Sequence, residues 1–180
     1  MSTTLRVHVA GVLITMTLPL VAVGAWDAPP ASGRLIRVRP ADRQIATLMN
    51  AGYRTSPTFR QLVDALEHSD IIVYVAASRH LPGTDLGQMH FVCRRGHQRY
   101  LRVSIRTLLS PTEFLSTVAH ELQHALEVAA SLDVIDAASM AALYERIGRP
   151  SCNGFETAAA RRTGELVSSE LERYASTQLR

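Results

Sequence analysis

From Ile71 to Ala76 the chain reads Ile-Ile-Val-Tyr-Val-Ala. A continuous β-branched run of this kind predicts a strand covered on both faces and central in its sheet. Further on, Tyr100, Arg102, Ser104 and Arg106 alternate with Leu101, Val103 and Ile105, so Arg99 to Arg106 predicts a strand with one wet face and one packed face. Gln88 to Arg94 precedes it with Gly96 between, the arrangement of a β-hairpin. Ser78 to Gly87 contains Pro82-Gly83 and predicts a loop. Near the start, Arg34 to Arg39 alternates arginine with apolar residues and predicts an edge strand.

Elsewhere the apolar spacing is helical. Phe114, Leu115, Val118, Leu122, Ala125, Leu126 and Ala129 fall on one helix face. Ser110-Pro111-Thr112-Glu113 supplies a capping box with proline at the first helical position. Ser56-Pro57 caps an earlier helix carrying Phe59, Leu62, Val63 and Leu66, and a helix from Pro40 to about Asn50 is expected to stop near Gly52. After a connection from Ser131 to Asp136, Ala137 to Ile147 predicts a helix ending at Gly148 and lying over the site that His120 and His124 mark. A long helix is expected from Phe155 to about Thr177. Together these elements describe an α+β domain, residues 34–180, in which a small, mostly antiparallel sheet packs on the helix that starts at Pro111, with further helices after it.

The first residues follow another pattern. Arg6 lies in a polar start, an apolar run extends from Val9 to Val23, and Val23-Gly24-Ala25 precede Trp26. This is the layout of a signal peptide over residues 1–25, too short for a comfortable membrane span. Ala-, Pro- and Gly-rich residues 26–33 predict a flexible leader. The expected location is therefore secreted or periplasmic, with an uncleaved signal anchor as the alternative. In an oxidising compartment Cys93 and Cys152 favour one disulfide over two free thiols.

Charge changes the picture little. All the basic residues are arginine, and the formal net charge of +3 falls to +2 once Arg6 is removed with the signal. That is too little to make nucleic acid a partner. The preference for arginine over lysine fits a G- and C-rich coding bias.

The chemistry concentrates in His120-Glu121-Leu122-Gln123-His124. Helical positions four apart lie about 40° around and about 6 Å along the axis, so both imidazoles can reach one ion, on the face opposite the apolar stripe. Glu121 beside them is placed to take a proton from water made acidic by the metal. A catalytic zinc needs a third protein ligand, and two glutamates compete. Glu127 lies about 10 Å along the axis from His120, awkward for one tetrahedron, and suits a supporting role to the histidines or a plain surface charge. Glu156, from another element, is the better candidate. Tyr144 could steady an oxyanion or simply pack. His80, His90 and His97 have no metal-binding spacing and read as surface or structural histidines.

His120-Glu-Leu-Gln-His124, an intervening helix, and then Glu156-Thr-Ala-Ala-Ala160 resemble the gluzincin branch of zinc metallopeptidases, and in size the minigluzincins, over roughly residues 70–175. The resemblance implies a zincin-like fold and one Zn2+ held by His120, His124 and a Glu156 carried on a following helix. It also implies peptide-bond hydrolysis with Glu121 as base, on a peptide or protein substrate extended along an edge strand. The metzincin pattern does not fit, because Glu127 and Ala130 occupy the places of its glycine and third histidine. One departure stands out: many gluzincins carry an aspartate four residues after the third ligand to hold a zinc histidine, and here that position is Ala160. A zinc-stabilised scaffold of the same fold, with little or no activity, is the alternative function.

Overall fold

The computed structural model describes residues 35–151 and 154–178. The expected signal peptide and leader lie outside them. In chain order the elements are β1 (Val38–Pro40), α1 (Arg43–Thr55), α2 (Pro57–Glu67), β2 (Ile71–Ser78), β3 (Gly87–Arg95), β4 (Gln98–Arg106), α3 (Pro111–Ala130), α4 (Ala137–Ile147), β5 (Arg149–Ser151), β6 (Gly154–Glu156) and α5 (Ala158–Gln178). The fold is α+β. Among the described residues, no helix is long and apolar enough to cross a membrane.

Two short breaks in helix pattern resolve differently from expectation. Pro40 pairs with Val75 in the sheet, and α1 starts only after Asp42, whose carboxylate accepts the Ile45 N–H at 2.9 Å. The helix then continues through Gly52 to Thr55. Gly52 does not stop it because the position is buried against α3, where a Cβ would lie 2.8 Å from Leu115 Cδ2; close packing there outweighs glycine's weak helix propensity.

The four long-range strands form one sheet in the order β1-β2-β4-β3. β1–β2 and β2–β4 run parallel, and only β3–β4 is antiparallel. The sheet is thus mixed rather than mostly antiparallel. The β3–β4 hairpin follows its turn at Gly96, whose φ of 57° suits glycine. β2 is central in the sheet and is enclosed on both faces at its start, where Ile72 on the second face is only 2 % exposed, but not along its whole length. Ile71, Val73 and Val75 are fully buried against the helices. On the opposite face Tyr74 and Ala76 stay half-buried, shielded by Tyr100 stacked at 6.5 Å and by Arg39 over the Tyr74 ring.

The core lies between the sheet and α3. Val38, Val73, Val75, Leu101, Val103 and Ile105 meet Phe114, Leu115, Val118, Leu122 and Ala125, and α2 closes one end with Phe59, Val63 and Leu66. Cys93 carries a free thiol; Cys152, its expected disulfide partner, lies outside the described residues.

Candidate metal centre

α3 begins as its sequence dictates. Ser110 Oγ accepts the Glu113 N–H at 3.3 Å, and Glu113 Oε2 accepts the Ser110 N–H at 2.9 Å. With the apolar face buried in the core, His120 and His124 project from the other side, their rings 4.9 Å apart and inclined at 77°. α4 lies alongside, as expected: Tyr144 Oη donates to the His124 carbonyl at 2.9 Å, and its ring meets the His124 ring edge-on at 5.1 Å.

Glu156 arrives differently from expectation. It ends β6, and Thr157 caps the following helix by accepting the Ala160 N–H at 3.1 Å. The cap delays α5 to Ala158, so the carboxylate is presented from a short hairpin rather than from a helix. Its Oε2 lies 3.5 Å from His120 Nε2. One ligand atom from each of His120, His124 and Glu156 falls within 4.8 Å of the others. Two ligands about 2.1 Å from a tetrahedral ion stand about 3.4 Å apart, so modest closure makes these three a facial set. Among the described residues Glu156 Oε1 is buried without a hydrogen-bond partner, an expensive arrangement that a cation would relieve. These residues fit a metal ion.

Glu127 is occupied elsewhere. Its Oε2 lies 2.8 Å from His124 Nδ1 and its Oε1 accepts the Thr157 hydroxyl at 2.6 Å. A His124 that donates from Nδ1 leaves its Nε2 lone pair for the centre.

Glu121 is only 5 % exposed and lies against β3. A Cβ built on Gly87 would come 2.7 Å from Glu121 Oε1 and 2.7 Å from Thr117 Cγ2. The glycine therefore makes the room in which Glu121 sits. Burial, reinforced by the charges of Glu156 and Asp85, pushes Glu121 up to about 7 although the charge of His124 opposes this. Burial likewise raises Glu156 and, aided by the charge of His124, pulls His120 down to about 4. For His124, burial works downward but is outweighed by the Glu127 hydrogen bond and the surrounding carboxylates, so its pKa rises. Tyr144 is held in its neutral form, mainly by burial.

The centre opens into a cleft of about 540 Å³, with Thr84 to Met89 on one side and Met140, Tyr144 and Phe155 on the other. His80, His90 and His97 do not line it. Sequence reasoning missed Gly87 and Thr157. A threonine before Ala158-Ala159-Ala160 is itself a helix-start signal, whereas the role of Gly87 depends on how closely β3 approaches α3. No protein-family model, curated protein or solved structure matches the chain.

Proposed function

We propose that the chain is a zinc-dependent peptidase of gluzincin type with a zincin-like fold, acting outside the cytoplasm. The observation that carries this reading is the gathering of His120, His124 and Glu156 within 4.8 Å next to a buried carboxylate, Glu121, that none of the three needs as a fellow ligand. A structural zinc site prefers four protein ligands, whereas three leave a position for water. Zinc, when bound there, would supply an acidified water and a charge to polarise a carbonyl oxygen.

The chain's own residues divide the remaining work. Glu121, screened from solvent and with its affinity for a proton raised towards neutrality, accepts a proton from the attacking water and delivers it to the leaving amine. Glu127 holds the His124 ring. Among the described residues β3 pairs only with β4, and its first residues line the cleft. An extended peptide can add to that free edge through main-chain hydrogen bonds, with side chains reaching Met89, Met140 and Phe155. Tyr144 positions α3, because its hydroxyl is spent on the His124 carbonyl.

That commitment of Tyr144 is also the observation favouring the second reading, a zinc-stabilised scaffold without useful hydrolysis. A digest of a broad peptide library with zinc-loaded and chelated protein separates the two. The peptidase reading expects new termini only with the zinc-loaded sample; a zinc-loaded protein that cuts nothing supports the scaffold.

A further inference from the structure

Position 160 has no room for the carboxylate that the gluzincin pattern would put there. Ala160 is completely buried. One turn later on the same helix face, a Cβ on Gly164 would lie 3.2 Å from the Ser116 carbonyl oxygen and 3.5 Å from His120 Cβ. α5 therefore lies backbone-close against α3, beside His120, and the small residues permit this. The close approach brings the glutamate's segment near the histidines, but it removes the space for a side chain to orient them from that direction. The orienting group has to come from elsewhere.

A continuous chain of hydrogen bonds supplies it. The Ala160 N–H donates to Thr157 Oγ1 at 3.1 Å, the Thr157 hydroxyl donates to Glu127 Oε1 at 2.6 Å, and Glu127 Oε2 meets His124 Nδ1 at 2.8 Å. Both oxygens of Glu127 are thus used, and its side chain is 12 % exposed. Thr157 is 5 % exposed and is joined covalently to Glu156. Gly154 and Phe155 just before it are exposed, so restraint on the β6–α5 junction enters at Thr157.

We propose that Thr157 and Glu127 are positioning residues that latch the two halves of the metal centre together, His124 on α3 and Glu156 at the end of β6, and so take over the work of the carboxylate absent at position 160. Thr157 sets where Glu156 stands relative to α3, and Glu127 sets the tautomer and angle of His124. The inference rests on the metal-binding reading of His120, His124 and Glu156, but it does not require hydrolysis.

The test uses the purified chain, stripped of metal, then titrated with Zn2+ against a chelator and with Co2+ followed by visible absorption. Thr157→Val keeps the side-chain shape and loses the hydroxyl; Thr157→Ser keeps the hydroxyl. We expect Thr157→Val and Glu127→Ala each to weaken Zn2+ binding about 10- to 100-fold and to alter the Co2+ spectrum, while Thr157→Ser restores both. Because the two groups act in one chain, adding Thr157→Val to Glu127→Ala should cost no further affinity. Glu127→Gln, which conserves volume, replaces the alanine variant if that fails to fold. Wild-type affinity in Thr157→Val, or losses that multiply in the double variant, would overturn the latch. Wild-type protein that binds neither ion would overturn the metal reading itself, and the latch with it.

Discussion

Gly87 and Glu121 show how a single hydrogen atom in place of a methyl group can make room for a buried carboxylate, which in the proposed function is the catalytic base. With 2.7 Å between a would-be Cβ and Glu121 Oε1, Gly87→Ala must move either the carboxylate or the strand. Misplacing a catalytic group by about 1 Å can cost about 100-fold in rate. The expected outcome is a loss of that order in kcat with zinc content unchanged, measured on the same preparation by peptide turnover and metal analysis. Asp70 gives a residue-scale test of stability. The Arg99 guanidinium, overcoming a smaller burial effect, holds the Asp70 carboxyl below its ordinary value of 3.8. A carboxylate lowered in the folded state stabilises fully above the unfolded value, and that contribution is lost as the pH falls through the folded one. As the pH falls below the ordinary carboxylate value of 3.8, the melting temperature of Asp70→Asn should therefore fall less steeply than that of wild type. Parallel acid limbs would show that the pair carries no such linkage. At this scale the histidines, Glu121 and Glu156 were legible because spacing and residue chemistry name them. Gly87 was not, since its role is the absence of a side chain at a tertiary contact.

Element boundaries depend on which group satisfies the terminal amides and carbonyls. The start of α3 was legible because its capping box is local. Its end falls where the connection from Ser131 was expected, and it is held locally by the Ser131 N–H on the Val128 carbonyl at 3.1 Å and also by a residue far away in sequence. Arg99, buried at the start of β4, donates to the carbonyls of Val128 at 2.8 Å, Ala129 at 3.2 Å, Ser131 at 2.7 Å and Val134 at 3.1 Å, and holds Asp70 with two bonds of 2.7 and 2.8 Å. Alternation along the strand gives Arg99 the parity of Leu101 and Val103, the packed face, but composition does not reveal what pays for burying a guanidinium there. Arg99→Met keeps much of the bulk but removes the buried donors that serve Ala129, Val134 and Asp70, while the Val128 and Ser131 carbonyls keep backbone donors, so it should destabilise by about 3 kcal/mol. Denaturant unfolding checks this; a change under about 0.5 kcal/mol, the range of ordinary surface substitutions, would contradict it. The late start of α5 follows the same logic. Thr157 takes the Ala160 amide, which leaves Phe155 and Glu156 to the β5–β6 hairpin.

For the whole molecule, the strands and helices were largely visible in the apolar pattern, but their pairing was not. The β3–β4 hairpin could be read because its turn is local, whereas the parallel pairings of β2 with β1 and β4 join segments far apart in sequence. In the proposed function that arrangement matters, because among the described residues it leaves β3 as the edge facing the cleft and sets Gly87 against Glu121. In the proposed function this assembly makes Glu121 a base beside a metal rather than a ligand or a packing group. Glu121→Gln tests it most directly, with zinc content, melting temperature and peptide hydrolysis measured on one preparation. If Glu121 is that base, zinc content is unchanged, the melting temperature stays close to wild type, and hydrolysis falls about 10²- to 10⁴-fold. Hydrolysis at the wild-type rate would contradict it.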